Sequence, residues 1–293
     1  MERRQGMGSW FSVEERLRGF LKDDLGWGDI TSEALIDDGQ RARGRLYYRE
    51  DGVAAGLHEV ATIFRILGCE VNAIERDGER VSSHQTLMEI EGPAKAILAG
   101  ERTALNILGR MAGIATTVSE IAGQVSGVSP GTRVAATRKT LPGLGELDKR
   151  AVALGGGDTH RFRLDDCVLI KDNHLALLPS ITEAVNRARS AVSFSKKIEV
   201  EIESPEGAVE AARAGADIVM FDNMPPGEIR RCLARLSELG LREGRVYEAS
   251  GGITPENVGE YASSRVDVIS MGSITHSVRA LDVKLEIEMV KEG

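Results

Sequence analysis

Cationic side chains recur along the second half of the chain, two of the three groups after a short apolar run and one after a run of glycines. Arg138-Lys139 follows the run 133–137, His160-Arg161 follows the triple glycine Gly155-Gly156-Gly157, and Lys171 follows the run 167–170. Arginine forks and lysine ammonium groups bind planar carboxylates and phosphates. Taken singly, each residue reads as ordinary surface charge. Their recurrence at one structural level, in a chain of formal net charge -8, calls for an anionic ligand.

A second group is acidic. In Ile198-Glu199-Val200-Glu201-Ile202-Glu203 the carboxylates and the apolar side chains alternate, so a strand places them on opposite faces. A parallel strand covered by helices needs its apolar face outward, which turns the glutamates inward. Such a row is costly unless cations neutralise it, and Lys139, Lys171 and a metal ion are the available partners. The competing reading is an edge strand with one solvated face. Asp222, closing the run 217–221, is a further inward carboxylate. Glu201 and Asp222 with substrate oxygens suit Mg2+, which prefers oxygen ligands and keeps several waters.

A third group is rich in glycine. Ser250-Gly251-Gly252 and Gly272-Ser273-Ile274 close the last two apolar runs. Backbone N–H groups in such loops cradle phosphate, and the last two loops of an α/β barrel are a recurrent place for it. Together the three groups describe a site for a phosphorylated substrate, a metal and a second anion.

The elements that must hold these residues follow from the pattern. After Gly131, six apolar runs alternate with helical stretches: 133–137, 167–170, 198–202, 218–221, 245–249 and 266–271. That alternation predicts parallel strands with helical crossovers, and polar residues at their C-terminal ends predict an open, incomplete α/β barrel. The first third reads as mixed α+β. It has a helix over 13–22 capped by Ser12, strands over 43–49 and 79–90, and a helix over 57–67. A long helix over 96–122 carries Gly109, Ala112, Gly113 and Ala115, small residues that predict close packing on another helix or subunit. Residues 281–290 alternate strictly, a half-buried strand expected to return to the N-terminal sheet. The expected domains are 1–112 joined by 278–293, and 113–277.

Composition narrows the class. With 42% hydrophobic and 28% charged residues the chain is globular, and its acidity disfavours nucleic acid. No run is long enough to span a bilayer, and residues 1–5 are too polar for a signal peptide. Cys69, Cys167 and Cys232 lack metal-ligand spacing and fit a reducing cytoplasm; the five histidines form no metal-binding motif.

The runs TRKT (137–140), GGGDTHR (155–161), LIKDNH (169–174), EVEIES (199–204), FDNM (221–224) and EASGGIT (248–254) resemble the quinolinate phosphoribosyltransferase family. So do DLGWGDIT (24–31) and ERTALNILGRMAGIAT (101–116). The resemblance implies an N-terminal α/β sandwich domain with a C-terminal open α/β barrel, a homodimer with shared active sites, in some members a hexamer, and transfer of phosphoribose from phosphoribosyl pyrophosphate to quinolinate with loss of carbon dioxide. It places Thr137, Arg138, Lys139, His160, Arg161 and Lys171 around quinolinate, and Glu201 and Asp222 on ribose and magnesium pyrophosphate. Ser250, Gly251, Gly252, Gly272, Ser273 and Ile274 hold the 5-phosphate, and Arg102 reaches the neighbouring subunit's site. Lys139, Lys171, Glu201 and Asp222 are the implied catalytic groups. Thr159 and Gly145 depart from the common pattern, where asparagine and arginine are frequent, and bear on base preference. Two rivals are a molybdenum-operon paralogue acting on another base and a Schiff-base lyase using Lys171.

Overall fold

The computed structural model describes residues 7–290; the first six residues, with the polar start, and the last three lie outside it. The chain opens with helices α1 (Met7–Leu25) and α2 (Ile30–Leu35), then β1 (Arg41–Tyr48), β2 (Gly52–Val53) and α3 (Leu57–Ile66). Strands β3 (Glu70–Ala73), β4 (Arg80–Val81) and β5 (Thr86–Pro93) lead into the long helix α4 (Ala94–Val128). Then follow β6 (Arg133–Ala136), α5 (Gly145–Leu154), β7 (Val168–Ile170), α6 (Asp172–Leu175), α7 (Ile181–Ala191), β8 (Ile198–Ile202) and α8 (Pro205–Arg213). The chain ends with β9 (Ile218–Asp222), α9 (Pro226–Glu238), β10 (Val246–Ser250), α10 (Val258–Ala262), β11 (Val268–Met271), α11 (Ser273–His276) and β12 (Val283–Met289).

Two compact units form. The first comprises residues up to Thr116, Glu146–Gly155 and the segment from Val278 onward; the second is Thr117–Gly145 with Gly156–Ser277. The expected division at 112/113 therefore shifts by a few residues, and α5, expected within the barrel domain, falls almost wholly in the first unit. Buried charge accounts for that: Arg110 on α4 donates to both oxygens of the fully buried Asp148 carboxylate on α5, at 2.7 and 2.9 Å.

In the first unit the antiparallel sheet runs β12-β1-β5-β3. Along β1, Ala42, Gly44 and Leu46 face inward while Arg41, Arg43 and Arg45 face water, the period of two of a half-buried strand. Arg43 pairs with Glu91 on β5 and Arg45 with Glu286 on β12, so cross-strand charges line the outer face. β12 lies beside β1 with Leu285 opposite Leu46, as its alternation predicted. Three expectations change. Ser12 lies inside α1, not at its start. The strand expected over 79–90 is broken into β4 and β5 by a turn in which Ser82 N–H donates to Gln85. The small face of α4 meets the chain's own C-terminal segment rather than a helix: a Cβ on Gly109 would lie 2.9 Å from Leu281 O, and one on Gly113 only 2.1 Å from Arg279 O.

In the second unit all six apolar runs form strands of one parallel sheet, ordered β6-β11-β10-β9-β8-β7. Ile198, Val200 and Ile202 on β8 are buried, and helices α7, α8 and α9 turn apolar faces inward, with Val185, Ala211 and Leu236 buried. The two edges, β6 and β7, are consecutive in the chain and unpaired with each other, so the sheet is open. The segment after the triple glycine runs along the β6 edge, where Asp158 bridges Ala135.

Candidate active site

The C-terminal ends of the six strands surround a cavity of about 520 Å³. Cations come from the two edges of the sheet: Arg138 and Lys139, preceded by the neutral Thr137, after β6, and Lys171 after β7. Carboxylates and the glycine turn come from the strands between them: Glu201 on β8, Asp222 on β9, and Ser250-Gly251-Gly252 at β10. His160 and Arg161 enter from the seam segment.

Each position has a local cause. Lys139 N–H donates to Thr137 Oγ1, 3.1 Å, and Lys139 O accepts from Thr275 Oγ1, 2.9 Å, so the turn after β6 is pinned to α11. Lys171 Nζ donates to Glu201 Oε1, a short contact that pairs the β7 ammonium with the β8 carboxylate. Asp222 Oδ2 accepts from Asn223 Nδ2 at 2.9 Å. Asn223 adopts φ +54° and its N–H donates to Ser250 O, 2.9 Å, tying the β9 turn to the β10 turn. Gly251, at φ +88°, has no room for a side chain, since a Cβ would lie 2.3 Å from Asn223 Oδ1 and 2.8 Å from its amide nitrogen. Both the dihedral and the space require glycine there. Ser270 Oγ donates to Ser250 Oγ at 2.9 Å and steadies the same turn.

The inward glutamate row is partly as expected. Glu199 is fully buried and Glu201 largely so, whereas Glu203 is exposed beyond the strand end. The neutralising partners differ: Lys171 matches Glu201, but Glu199 faces His160 Nε2 at 3.5 Å, and Glu248 on β10 approaches the same nitrogen at 3.2 Å. Burial raises the Glu199 pKa above the ordinary carboxylate range, the His160 hydrogen bond opposes it, and the Glu248 charge adds to it. At His160 burial disfavours the charge, but hydrogen bonds to Glu199 and Glu248 outweigh it and raise the pKa to about 10. A doubly protonated ring would have no lone pair for the Arg161 amide, which donates to His160 Nδ1 at 2.8 Å. Nε2 is the nitrogen that faces the two carboxylates, and Nδ1 the one that meets the Arg161 amide.

His160, Glu199 and Glu248 offer three ligand atoms within 4.8 Å of one another, a spacing that could hold a metal. The ring's orientation argues against it: Nε2 bears a proton both in the charged ring and in the tautomer that leaves Nδ1 free to accept the Arg161 amide, so it offers no free lone pair. Glu201 and Asp222 are the better oxygen donors for a hard cation. Each has one oxygen engaged and, among the described residues, one without a hydrogen bond. Two such oxygens do not make a cage, but they fit magnesium that brings waters and substrate phosphates.

Four expected residues are not among those that line the cavity. Gly272 packs on Lys139, where a Cβ would lie 2.9 Å from Cδ. Ile274 is buried in the core, and the Ser273 hydroxyl is buried without a partner. Arg102 lies on α4 in the first unit and is exposed. Conversely, Leu169, Asp172, Met220, Asn223, Glu248 and Ser270 line the cavity and were not singled out from the sequence. For Glu248 a signal existed: it is a lone charge at an inward position of an otherwise apolar parallel strand.

An open parallel sheet carrying cations, carboxylates and a glycine turn at one end defines a transferase-type site for anionic, phosphorylated substrates. The sequence matches the quinolinate phosphoribosyl transferase C-terminal domain over residues 114–286 and the N-terminal domain over residues 29–112. The chain belongs to the quinolinate phosphoribosyltransferase family. It is 49% identical over 275 residues to a probable nicotinate-nucleotide pyrophosphorylase [carboxylating] of Methanothermobacter thermautotrophicus, covering 94% of this chain and 99% of that one. It is 37% identical to the Homo sapiens nicotinate-nucleotide pyrophosphorylase [carboxylating], covering 87% of this chain and 85% of that one. The crystal structure of NadC from Streptococcus pyogenes superposes with a TM-score of 0.89 at 32% identity, over 96% of this chain and 98% of that one.

Proposed function

We propose that this protein transfers phosphoribose from phosphoribosyl pyrophosphate to quinolinate with loss of carbon dioxide. The products are nicotinate mononucleotide and pyrophosphate, within NAD biosynthesis. The observation that carries the reading is the single cavity in which edge-strand cations face Glu201, Asp222 and the Gly251 turn, in a chain that matches this family over nearly its whole length.

The glycine turn receives the 5-phosphate. Arg138 and Arg161 bind the quinolinate carboxylates, and the strongest contact falls on the retained 3-carboxylate. Equal grip on the leaving carboxylate in ground and transition states would not speed its loss. The ring nitrogen forms a bond to the anomeric carbon as the bond to pyrophosphate breaks. Glu201 and Asp222 face the positive charge that develops on the ribose, and Lys139 and Lys171 face the negative charge that develops on pyrophosphate. The alkylated nitrogen is then cationic, so the electron pair left at C2 by departing carbon dioxide sits beside a positive charge, and a proton from water replaces it. Glu201 and Asp222 would hold magnesium, which supplies charge neutralisation to the pyrophosphate oxygens when bound.

The working form is a homodimer in which Arg102 serves the partner's site. Its support is the exposure of Arg102, its absence from the lining of this chain's own cavity, and the exposed apolar side chains Trp27, Ile30 and Leu35 that a second copy would cover. Among the described residues no helix is long and apolar enough to cross a membrane. The three cysteines are free thiols, which fits a reducing cytoplasm.

The deciding experiment incubates the protein with magnesium, phosphoribosyl pyrophosphate and quinolinate and follows nicotinate mononucleotide and carbon dioxide. Both products, absent with nicotinate as the base, are expected. Turnover of another base with quinolinate inert would overturn the reading.

A further inference from the structure

Asn223 closes strand β9 at φ +54°, in the left-handed region where a side chain crowds its own backbone. Glycine takes that conformation with less strain. A side chain retained at such a position needs a reason beyond the shape of the turn.

The turn itself is served by the backbone. Asp222 stands opposite Ser250 in the β9–β10 register, and Asn223 N–H donates to Ser250 O at 2.9 Å. A glycine at 223 would make the same bond, but it would lack the carboxamide. Asn223 Nδ2 donates to Asp222 Oδ2 at 2.9 Å. A carboxylate accepts and does not donate, so the amide nitrogen is the end that must face Asp222. The amide oxygen lies over Gly251, where a Cβ would come within 2.3 Å of it.

The carboxamide therefore touches two functional groups at once. The terminal torsion of an aspartate is broad and two-fold. A donor on one oxygen confines it and leaves the other oxygen for a ligand. Among the described residues Asp222 Oδ1 has no hydrogen bond, and Asp222, Asn223, Ser250, Gly251 and Gly252 line one cavity. The holder is also neutral. Glu201 is held by the Lys171 ammonium, which offsets its charge, whereas Asp222 is held by an amide and keeps its charge whole. By resting on Gly251, the same amide sets the spacing between that carboxylate and the glycine turn.

We propose that Asn223 is a positioning residue for the phosphoribosyl donor: its carboxamide holds Asp222 Oδ2, leaves the other carboxylate oxygen to the ribose, and keeps it at a fixed distance from the turn that receives the 5-phosphate. This rests on the reading of the cavity as a phosphoribosyl pyrophosphate site. Ribose and 5-phosphate are parts of one substrate, so an error in their spacing falls on that substrate and not on quinolinate.

The test uses Asn223→Gly, which keeps the left-handed backbone and the bond to Ser250 and deletes only the side chain. Thermal unfolding and calorimetry with quinolinate alone should match the wild type. KM for phosphoribosyl pyrophosphate should rise about tenfold or more, as misplacement of a binding group predicts. Calorimetry with nicotinate mononucleotide, which carries ribose and 5-phosphate and needs no turnover, should show a similar loss of affinity. In an Asp222→Ala background the glycine substitution should add little further loss of nucleotide affinity, because its effect runs through the missing carboxylate. Wild-type values in Asn223→Gly overturn the proposal. So does a full additional loss beside Asp222→Ala, which would mean that Asn223 meets the ligand itself. A lowered melting temperature with equal losses for both substrates would reduce Asn223 to a structural role and overturn it too. Failure of the wild type to form product or to bind the nucleotide is a separate result, and it would remove the reading of the cavity itself.

Discussion

Arg110 and Asp148 meet in a two-point grip, Nε to Oδ1 at 2.7 Å and Nη2 to Oδ2 at 2.9 Å, with the carboxylate completely shielded from water. The pair fixes α5 to α4, and α5 begins where the Arg138-Lys139 loop ends. Removing Asp148 leaves a mostly buried guanidinium with its main partner lost, a change that costs about 3–5 kcal/mol. Asp148→Ala should therefore lower the midpoint of chemical denaturation strongly, while Asp148→Asn, which keeps one acceptor, should lower it less. Equal midpoints for wild type and Asp148→Ala would show the grip to be energetically idle.

Lys139 and Lys171 sit at opposite edges of the sheet and face one cavity. Lys139→Ala and Lys171→Ala should each reduce kcat by about 100-fold or more, as expected when a preorganised charge facing a transition state is removed. Thermal unfolding should change little, because Lys139 is exposed and Lys171 is half-exposed. Near-normal turnover in either variant, measured by pyrophosphate release, removes that lysine from the chemistry.

Arg102 gives a test of the assembly. If it serves the neighbouring subunit, then mixing an inactive Arg102→Ala chain with an inactive Lys171→Ala chain creates dimers with one intact site. About a quarter of wild-type activity per site is the expected ceiling after random exchange of subunits, since half the dimers are mixed and each has one good site of two. No recovery, with exchange verified by mass spectrometry, places Arg102 in its own chain's site or in none. The small face of α4 lends no weight either way, since it is filled by the chain's own C-terminal segment.

Glu59 makes stability depend on pH. Burial pushes its carboxyl up to about 7, against the charge of Arg150, whose Nη1 lies 3.2 Å away, and with the Asp77 charge adding to the rise. The folded pKa therefore lies above the unfolded value of 4.5. Below the unfolded value both states hold the proton and nothing is lost. As pH rises from there through the folded value, the unfolded chain releases its proton first, and stability falls by up to about 3 kcal/mol. Melting temperatures of the wild type should decline between about pH 5 and pH 8, and Glu59→Gln should flatten that part of the curve. An identical slope in both proteins would locate the pH dependence elsewhere.

Gly251→Ala combines an unfavourable dihedral with a collision against Asn223. The left-handed conformation alone costs about 1–2 kcal/mol, and relief of the collision must open the turn that holds Asn223 to Ser250. The variant should fold with reduced stability and show a raised KM for phosphoribosyl pyrophosphate, with binding of quinolinate alone nearly intact. Unaltered kinetics would mean that this turn does not carry the phosphate.

The parts of this architecture readable from the chain were those fixed by short-range periodicity. All six parallel strands and the polar residues at their ends follow from apolar runs of the right length, and β12 follows from its strict alternation. What could not be read depended on partners distant in sequence. The breadth of α1 escaped notice because Ser12 has the side chain of a cap, yet the helix runs through it from Met7. The membership of α5 in the first unit depends on Arg110, 38 residues earlier. The true partner of Glu199 was missed for the same reason: His160 and Glu248 come from a loop and from a strand that is not its neighbour in the sheet. A glutamate on an inward face announces that some cation or proton donor must meet it, and only the fold says which.

Strand β12 lies against β1, and the ion pair between Arg45 and Glu286 joins residues 241 positions apart. During synthesis the chain emerges from its first residue, so the N-terminal sheet stands with one edge open until the final stretch leaves the ribosome. The parallel sheet is finished earlier, when β11 appears. Contacts so far apart in sequence form late, and an uncovered strand edge is a template for pairing with a foreign strand. A nascent chain of this protein therefore passes through an interval in which β1 is exposed to the wrong neighbours, and a truncation that removes β12 would make that interval permanent.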